Sequence, residues 1–329
     1  MTSLTAARAA TGSDDLTRTF RSMATDVTLR VVGARPGAAA ALDRAEEVVV
    51  RVAATCTRFD PASPLMLANA APRRWHQVPA ELYAALRAAA DAYDETDGRF
   101  DPRVLDVLVS WGYDRSLPFR TGDVAVAAGP AAGQHAVPGR RRWRPRFDPS
   151  RRAVRLGPVP VDLGGIGKGL AVRWAAAQLA DAGTAALVEA GGDLQAVGAG
   201  PDGNGWLVAV EDPRGGTEPV AVLSLTDRGC ATSSVRLRRW SVDGRPVNHL
   251  VDPSTGAPAD GGLLSVTVVG ADVAEAEVWS KALFLAGRGS VRRLADEHGL
   301  AALLVDTDGV VGLSRAMRPY LVWQADRDW

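Results

Sequence analysis

Cysteine and histidine are scarce in this chain: two cysteines, Cys56 and Cys230, and four histidines among 329 residues. Two thiols cannot build a disulfide framework, and neither their spacing nor their neighbours suggest a metal-thiolate site. They fit a reducing compartment. Net charge is also missing, because 38 Lys and Arg balance 38 Asp and Glu. No global field therefore favours nucleic acid or an anionic membrane. No apolar run is long enough to span a bilayer. Residues 1–19 hold neither the apolar core of a signal peptide nor a lipobox cysteine, so the sequence predicts a cytoplasmic protein without membrane insertion. Apolar bulk, by contrast, is ample. Hydrophobic residues make up 47% of the chain, enough for one large domain or two intimate ones.

Hydrophobic periodicity predicts the elements. Residues 1–18 read as a disordered tail. Strands are expected over 25–32, 185–189, 206–211, 220–225, 263–269 and 301–305, and in a further short run at 159–161. Helices are expected over 38–54, 79–94, 170–182 and 271–286. Residues 115–160 are the least regular part. The basic run from Arg140 to Arg144 around Trp143 reads as a solvated hairpin or loop rather than a nucleic-acid patch. Irregular alternation of strands and helices points to an α+β fold with mixed, largely antiparallel sheets and packed helices.

Chemistry concentrates in Val161-Asp162-Leu163-Gly164-Gly165-Ile166-Gly167-Lys168-Gly169. An apolar run ends in an acid, a glycine turn follows, and a helix begins. Backbone N–H groups at such a turn can meet an anion, and Lys168 adds a point charge. The pattern is neither a Walker A loop nor a dinucleotide fingerprint, so a phosphate site and a plain turn both remain open. Four companions follow the same logic. Thr96-Asp97-Gly98-Arg99-Phe100-Asp101-Pro102 is a turn with two acids and an aromatic. Ala190-Gly191-Gly192-Asp193 ends a strand with room for close approach. Asn248-His249-Leu250-Val251-Asp252-Pro253-Ser254-Thr255-Gly256 offers several donors. On the last helix Glu277 and Lys281 are i,i+4 neighbours with Ser280 between them. Taken alone, that pair reads as a surface salt bridge of about 0.3–0.5 kcal/mol.

Further segments complete an ordered set: Ser22-Met23-Ala24-Thr25, Thr57-Arg58-Phe59-Asp60 with Ser63, Trp111-Gly112-Tyr113, and Thr232-Ser233-Ser234. Over residues 20–313 the chain resembles the ApbE family, the FAD:protein FMN transferases. The resemblance implies a single catalytic unit over 19–329 that binds FAD and splits its pyrophosphate. FMN then passes through a phosphoester to a Thr or Ser hydroxyl in a loop of a target protein, and AMP leaves. It also implies a divalent cation, normally Mg²⁺. Met23, Phe59, Arg99, Phe100, Asp101, Asp162, Lys168, Gly191, Gly192, Ser233, His249, Leu250 and Ser280 are the cofactor-binding positions it implies. Asp162, His249, Glu277 and Lys281 are the catalytic ones, and the Gly165 carbonyl and Glu277 the metal ligands. The chain departs from the family pattern A-D-x-x-[ASD]-T-A, whose Asp and Thr oxygens hold the cation. Here Glu277 stands for the acid and Lys281 for the threonine, and a protonated lysine cannot ligate a metal. Either Lys281 takes over part of the cation's charge, or Mg²⁺ still binds through Glu277 with Lys281 turned away. The second is the expectation. The rival to a transferase is a relative that only holds or hydrolyses FAD, as a flavin carrier or sensor.

Overall fold

The computed structural model describes Thr5–Ala6 and residues 14–117, 119, 124–126, 142–236 and 238–326. Arg140 and Arg141 of the basic run lie outside the described residues. The chain divides into two compact units. The first takes residues 1–50, 168–236 and 261–329, the second residues 51–167 and 237–260. Among the described residues no helix is long and apolar enough to cross a membrane.

The first unit is built on an eight-stranded sheet, antiparallel throughout. Its spatial order is Val311–Leu313, Ala301–Asp306, Leu263–Gly270, Gly229–Ser234, Asp193–Val197, Ala185–Ala190, Thr25–Val32 and Leu16–Ser22. The alternation of Thr25–Val32 does what its period requires: Val27, Leu29 and Val31 are fully buried, while Asp26 faces outward. A second sheet joins Thr5–Ala6, Trp206–Glu211, Pro219–Leu225 and Leu321–Gln324. Trp206, Val208, Leu223 and Leu225 from this sheet share a core with Leu187, Leu194, Cys230 and Leu303 from the large one. Along Gly229–Ser234, Cys230 points into that core and Ser233, of opposite parity, bonds Ser280. The helix Val273–Ala286 therefore covers the other face of the sheet. Asp272 caps its start by accepting from Ala274 N and Glu275 N, and Gly287 at φ 72° ends it.

Two described strands touch the stretch 1–18 that was expected as a tail. Leu16–Ser22 is an edge strand, and Thr5 and Ala6 pair with Ala209 and Val208. Its sequence LTRTFRS places Thr and Arg on a half-exposed edge, so it carries little apolar alternation. The hairpin that follows has a two-residue loop, Met23-Ala24, with φ of 48° and 60°. Positive φ at both positions belongs to Asn and Gly, not to Met and Ala. Ala24 is exposed and contributes no packing. Ala24→Gly is therefore expected to stabilise the fold by about 0.5–1 kcal/mol, after allowing for the greater freedom of glycine in the unfolded chain. Thermal unfolding should show a rise of roughly 1–3 °C, and no change would mean the loop carries no strain.

The second unit holds the helices Pro64–Ala70, Ala80–Glu95 and Leu105–Ser110 beside small sheets. Strands do form late in the irregular stretch, where Arg146–Asp148 and Ala153–Arg155 pair antiparallel. Trp143 of the basic run is buried and donates from Nε1 to Leu156 O, and Arg142 pairs with Asp94. The expected strand at 159–161 does not form. Instead the Asn69 side chain takes both backbone groups of Val161, accepting its N–H at 2.9 Å and donating to its carbonyl at 2.8 Å. A side-chain amide thus satisfies buried backbone that a neighbouring strand would otherwise pair. Val107, Leu108, Tyr113, Trp240 and Val247 form one apolar cluster of this unit.

Candidate active site

Four charged side chains meet in the first unit. Gly191 and Gly192, at φ 59° and 95°, make a two-residue hairpin loop that returns the chain so that Asp193 opposes Ala190. A Cβ on Gly191 would lie 2.6 Å from Thr25 Oγ1, so the loop needs glycine for space as well as for φ. The hairpin carries Asp193 beside Thr232, whose N–H points to Asp193 Oδ1 at 3.4 Å. Lys168, at the start of the helix Gly167–Gln178, pairs with Asp193 Oδ2 and lies 3.4 Å from Glu277 Oε1. One turn after Glu277, Lys281 donates to Glu277 Oε1 at 3.2 Å and to its backbone carbonyl at 3.3 Å. The other carboxylate oxygen, Oε2, accepts the Gly169 N–H at 2.8 Å.

This is no surface ion pair. The Glu277 side chain is 1% exposed, Asp193 3%, and each lysine 15%. Burial pushes the Glu277 carboxyl up, but Lys168, Lys281 and the Gly169 N–H outweigh it and hold it well below the usual range. For Asp193, burial wins over Lys168, with the Glu277 charge adding to it, and its carboxyl is raised. Burial, reinforced by the charge of Lys168, lowers the Lys281 ammonium against the opposing pull of Glu277 and Asp193. Of the two acids, Glu277 has two ammonium partners and an amide, so its charged form is the better held.

Several residues expected at the ligand make internal ties. Ser233 Oγ and Ser280 Oγ are 2.7 Å apart and buried, joining the helix Val273–Ala286 to the sheet. The glycine turn uses its own amides: Gly164 N–H goes to Asp162 Oδ2, and Ile166 and Gly167 N–H go to Leu163 O. With Gly169 bound to Glu277, the side chain of Lys168 rather than those amides carries the turn's positive charge.

In the second unit, Asp162 Oδ1 is 3.5 Å from Arg58 Nε, both side chains nearly buried. The Arg58 guanidinium lies over the rings of Tyr113 at 4.1 Å and Phe59 at 4.5 Å. Phe59 remains 40% exposed against Tyr113. Phe100, expected at the ligand, is buried. Asp101 is occupied by Arg103, with Nη2 to Oδ2 at 2.6 Å and Nε to Oδ1 at 3.0 Å. Arg99 is exposed and donates to Thr96 O. Leu250 has both backbone groups used, its N–H by Asn248 Oδ1 and its carbonyl by Ala259 N–H. His249 is half-buried and its N–H meets Arg238 O. Met23 sits half-buried on its strained hairpin in the first unit. The sequence reading assigned no role to Asp193 or Arg58. Both stand inside segments that it quoted, the Gly-Gly-Asp turn and Thr57-Arg58-Phe59-Asp60.

The expected Mg²⁺ does not fit these donors. Lys281 is not turned away from Glu277 but bonded to it. A dication about 2.1 Å from Oε1 would lie within roughly 5 Å of both ammonium groups. Each would repel it by about 6 kcal/mol at an effective dielectric of 20. Among the described residues no three His, Cys, Asp or Glu side chains are grouped to hold a metal.

Known proteins agree with this architecture. The model of the ApbE family matches residues 23–304. The FAD:protein FMN transferase of Salmonella typhimurium (strain LT2) is 32% identical over 151 residues, 45% of this chain and 43% of that protein. That of Chlamydia trachomatis is 28% identical over 239 residues, 70% of each. The chain thus spans under half the length of the first curated relatives it matches. Among solved structures, the ApbE protein of Thermotoga maritima superposes with a TM-score of 0.80 at 28% identity, over 93% of this chain and 99% of that one. The flavin transferase ApbE of Vibrio cholerae shares the fold, with a TM-score of 0.76 at 20% identity over 93% and 99%. With its α+β fold and a family match across most of its length, this chain belongs to the ApbE family.

Proposed function

We propose that this chain is an FAD:protein FMN transferase. It takes FAD and a target protein, joins a Thr or Ser hydroxyl oxygen of the target to the FMN phosphorus, and breaks the pyrophosphate bond so that AMP leaves. The observation that carries this reading is the buried centre of Lys168, Asp193, Glu277 and Lys281 in a chain of the ApbE family. Phosphoryl transfer asks mainly for positioning and charge neutralisation, and two buried ammonium groups supply the second. The hydroxyl proton needs an acceptor. Glu277 is a poor one, being held below the usual carboxylate range by its two lysines. Asp193, raised by burial, is better matched within this unit. Asp162 and His249, proposed for the same task, belong to the second unit. There Phe59 presents an exposed aromatic ring beside the buried Arg58 guanidinium.

Incubation with FAD and a Thr-containing acceptor peptide tests this. AMP should appear, and the peptide should gain the mass of one FMN moiety. AMP with free FMN and no labelled peptide would instead make the chain a hydrolase. Intact FAD in every tube would leave a carrier.

A further inference from the structure

The centre has a compositional property that its geometry explains. Of the 38 basic residues, only two are lysines, Lys168 and Lys281, and the fold brings both to one carboxylate. Everywhere else the chain uses arginine. A guanidinium is a planar fork, whereas an ammonium is a compact charge with three donors. Beside Glu277, Lys281 places one donor on Oε1 and one on the backbone carbonyl of the same residue. Among the described residues those are its acceptors, so a third donor remains on a side chain that is still 15% exposed. Two ammonium groups and two carboxylates meet in this centre, so Lys281 brings a positive charge where a hydroxyl side chain would bring none. A threonine at position 281 would leave one negative charge over.

We propose that Lys281 is a built-in cation, one that holds and neutralises the FAD pyrophosphate in place of a divalent metal, so that binding and FMN transfer proceed without one. The inference rests on the flavin-transferase reading. In the step, the acceptor oxygen forms its bond to the FMN phosphorus, AMP departs with the electron pair of the broken P–O bond, and the hydroxyl proton passes to a base. Lys281 donates to a pyrophosphate oxygen throughout and keeps its own proton. Glu277 is then a positioning residue, fixing Lys281 at its carboxylate and its carbonyl.

The test compares AMP release and peptide labelling in excess EDTA and in Mg²⁺, for the full chain and for Lys281→Thr. The natural chain should change less than twofold between the two conditions. Lys281→Thr should lose at least 100-fold in EDTA, and Mg²⁺ should restore at least tenfold of it. A merely structural lysine would give a loss that Mg²⁺ does not touch. A 100-fold fall of the natural chain in EDTA would overturn the proposal.

Two further readouts separate this inference from the function it rests on. With ¹⁵N-labelled lysine the spectrum of side-chain Nζ groups holds two resonances, and FAD in EDTA should shift that of Lys281. FAD binding in EDTA, followed by flavin fluorescence, should weaken at least tenfold in Lys281→Met. If no tube releases AMP yet both binding results hold, the transferase reading fails and the metal-free pyrophosphate contact stands. An unmoved Lys281 resonance with undiminished binding would overturn the contact itself.

Discussion

Glu277→Ala is expected to destabilise the protein by about 3–5 kcal/mol, a fall of roughly 10 °C in unfolding temperature. The carboxylate accepts from Lys281 and the Gly169 N–H and lies 3.4 Å from the Lys168 ammonium. Its removal leaves a buried charge uncompensated and a helix-start amide without its acceptor, the costly way to break an ion pair. Charge counting makes a sharper statement. With Glu277 gone, two ammonium groups face only Asp193. Removing Lys281 as well restores neutrality, because Lys168 keeps its Asp193 partner. The double variant Glu277→Leu, Lys281→Met should therefore be more stable than Glu277→Ala, by about 2 kcal/mol or more, since apolar replacement of a whole buried pair is often neutral. Equal stabilities would mean the two residues are not coupled. The pH dependence has a definite sign. The Glu277 carboxyl is depressed in the folded state, so its contribution is complete above the unfolded value of 4.5 and is lost as pH falls through the lower folded one. The gap between the natural chain and Glu277→Ala should be widest near neutrality and close in acid.

This centre also shows what a sequence can and cannot disclose. The positions of Lys168, Glu277 and Lys281 were legible, each in a short recognisable segment. Their burial was not, because i,i+4 spacing says only that two side chains are neighbours. One signal did exist. The helix Val273–Ala286 is apolar nearly all round its axis, and such a helix lies inside a protein. Asp193 escaped assignment because Gly-Gly-Asp satisfies the chemistry of a hairpin turn, which leaves its acid no apparent work. The α+β class could be read from the irregular order of strands and helices, and half of the twelve strands in the two sheets from their apolar runs and alternation. Leu16–Ser22 could not, since an edge strand of Thr and Arg lacks that period. Nor could the segment at Val161, whose pairing partner is a side chain 92 residues away. Phe100 and Asp101 were expected at a ligand from the family resemblance, and the structure shows the first buried and the second bonded to Arg103. A motif marks where chemistry gathers, and only packing separates the groups that face a ligand from those that hold the frame.

Gly169→Ala is expected to cut the rate of AMP release by about 100-fold, with a stability loss of about 1–3 kcal/mol. A Cβ at this position would lie 2.7 Å from Ala274 Cα, 3.0 Å from Val273 O and 2.9 Å from Glu277 Oε2. Two of those three neighbours are backbone of the capped helix start, which cannot swing aside. Relief must come from withdrawal of residue 169 or from displacement of the Glu277 carboxylate. Either movement breaks the Gly169 N–H to Oε2 bond and shifts the anchor on which Lys281 rests. A displacement near 1 Å in a phosphoryl-transfer centre is enough for a loss of that size. Gly167→Ala supplies the control, because nothing lies within 4 Å of a Cβ built there. It should leave activity unchanged and gain about 0.5–1 kcal/mol, since alanine loses less chain freedom than glycine on entering a helix. Should both variants lose activity equally, the cause would be the glycine turn as a whole rather than the contact between Gly169 and Glu277.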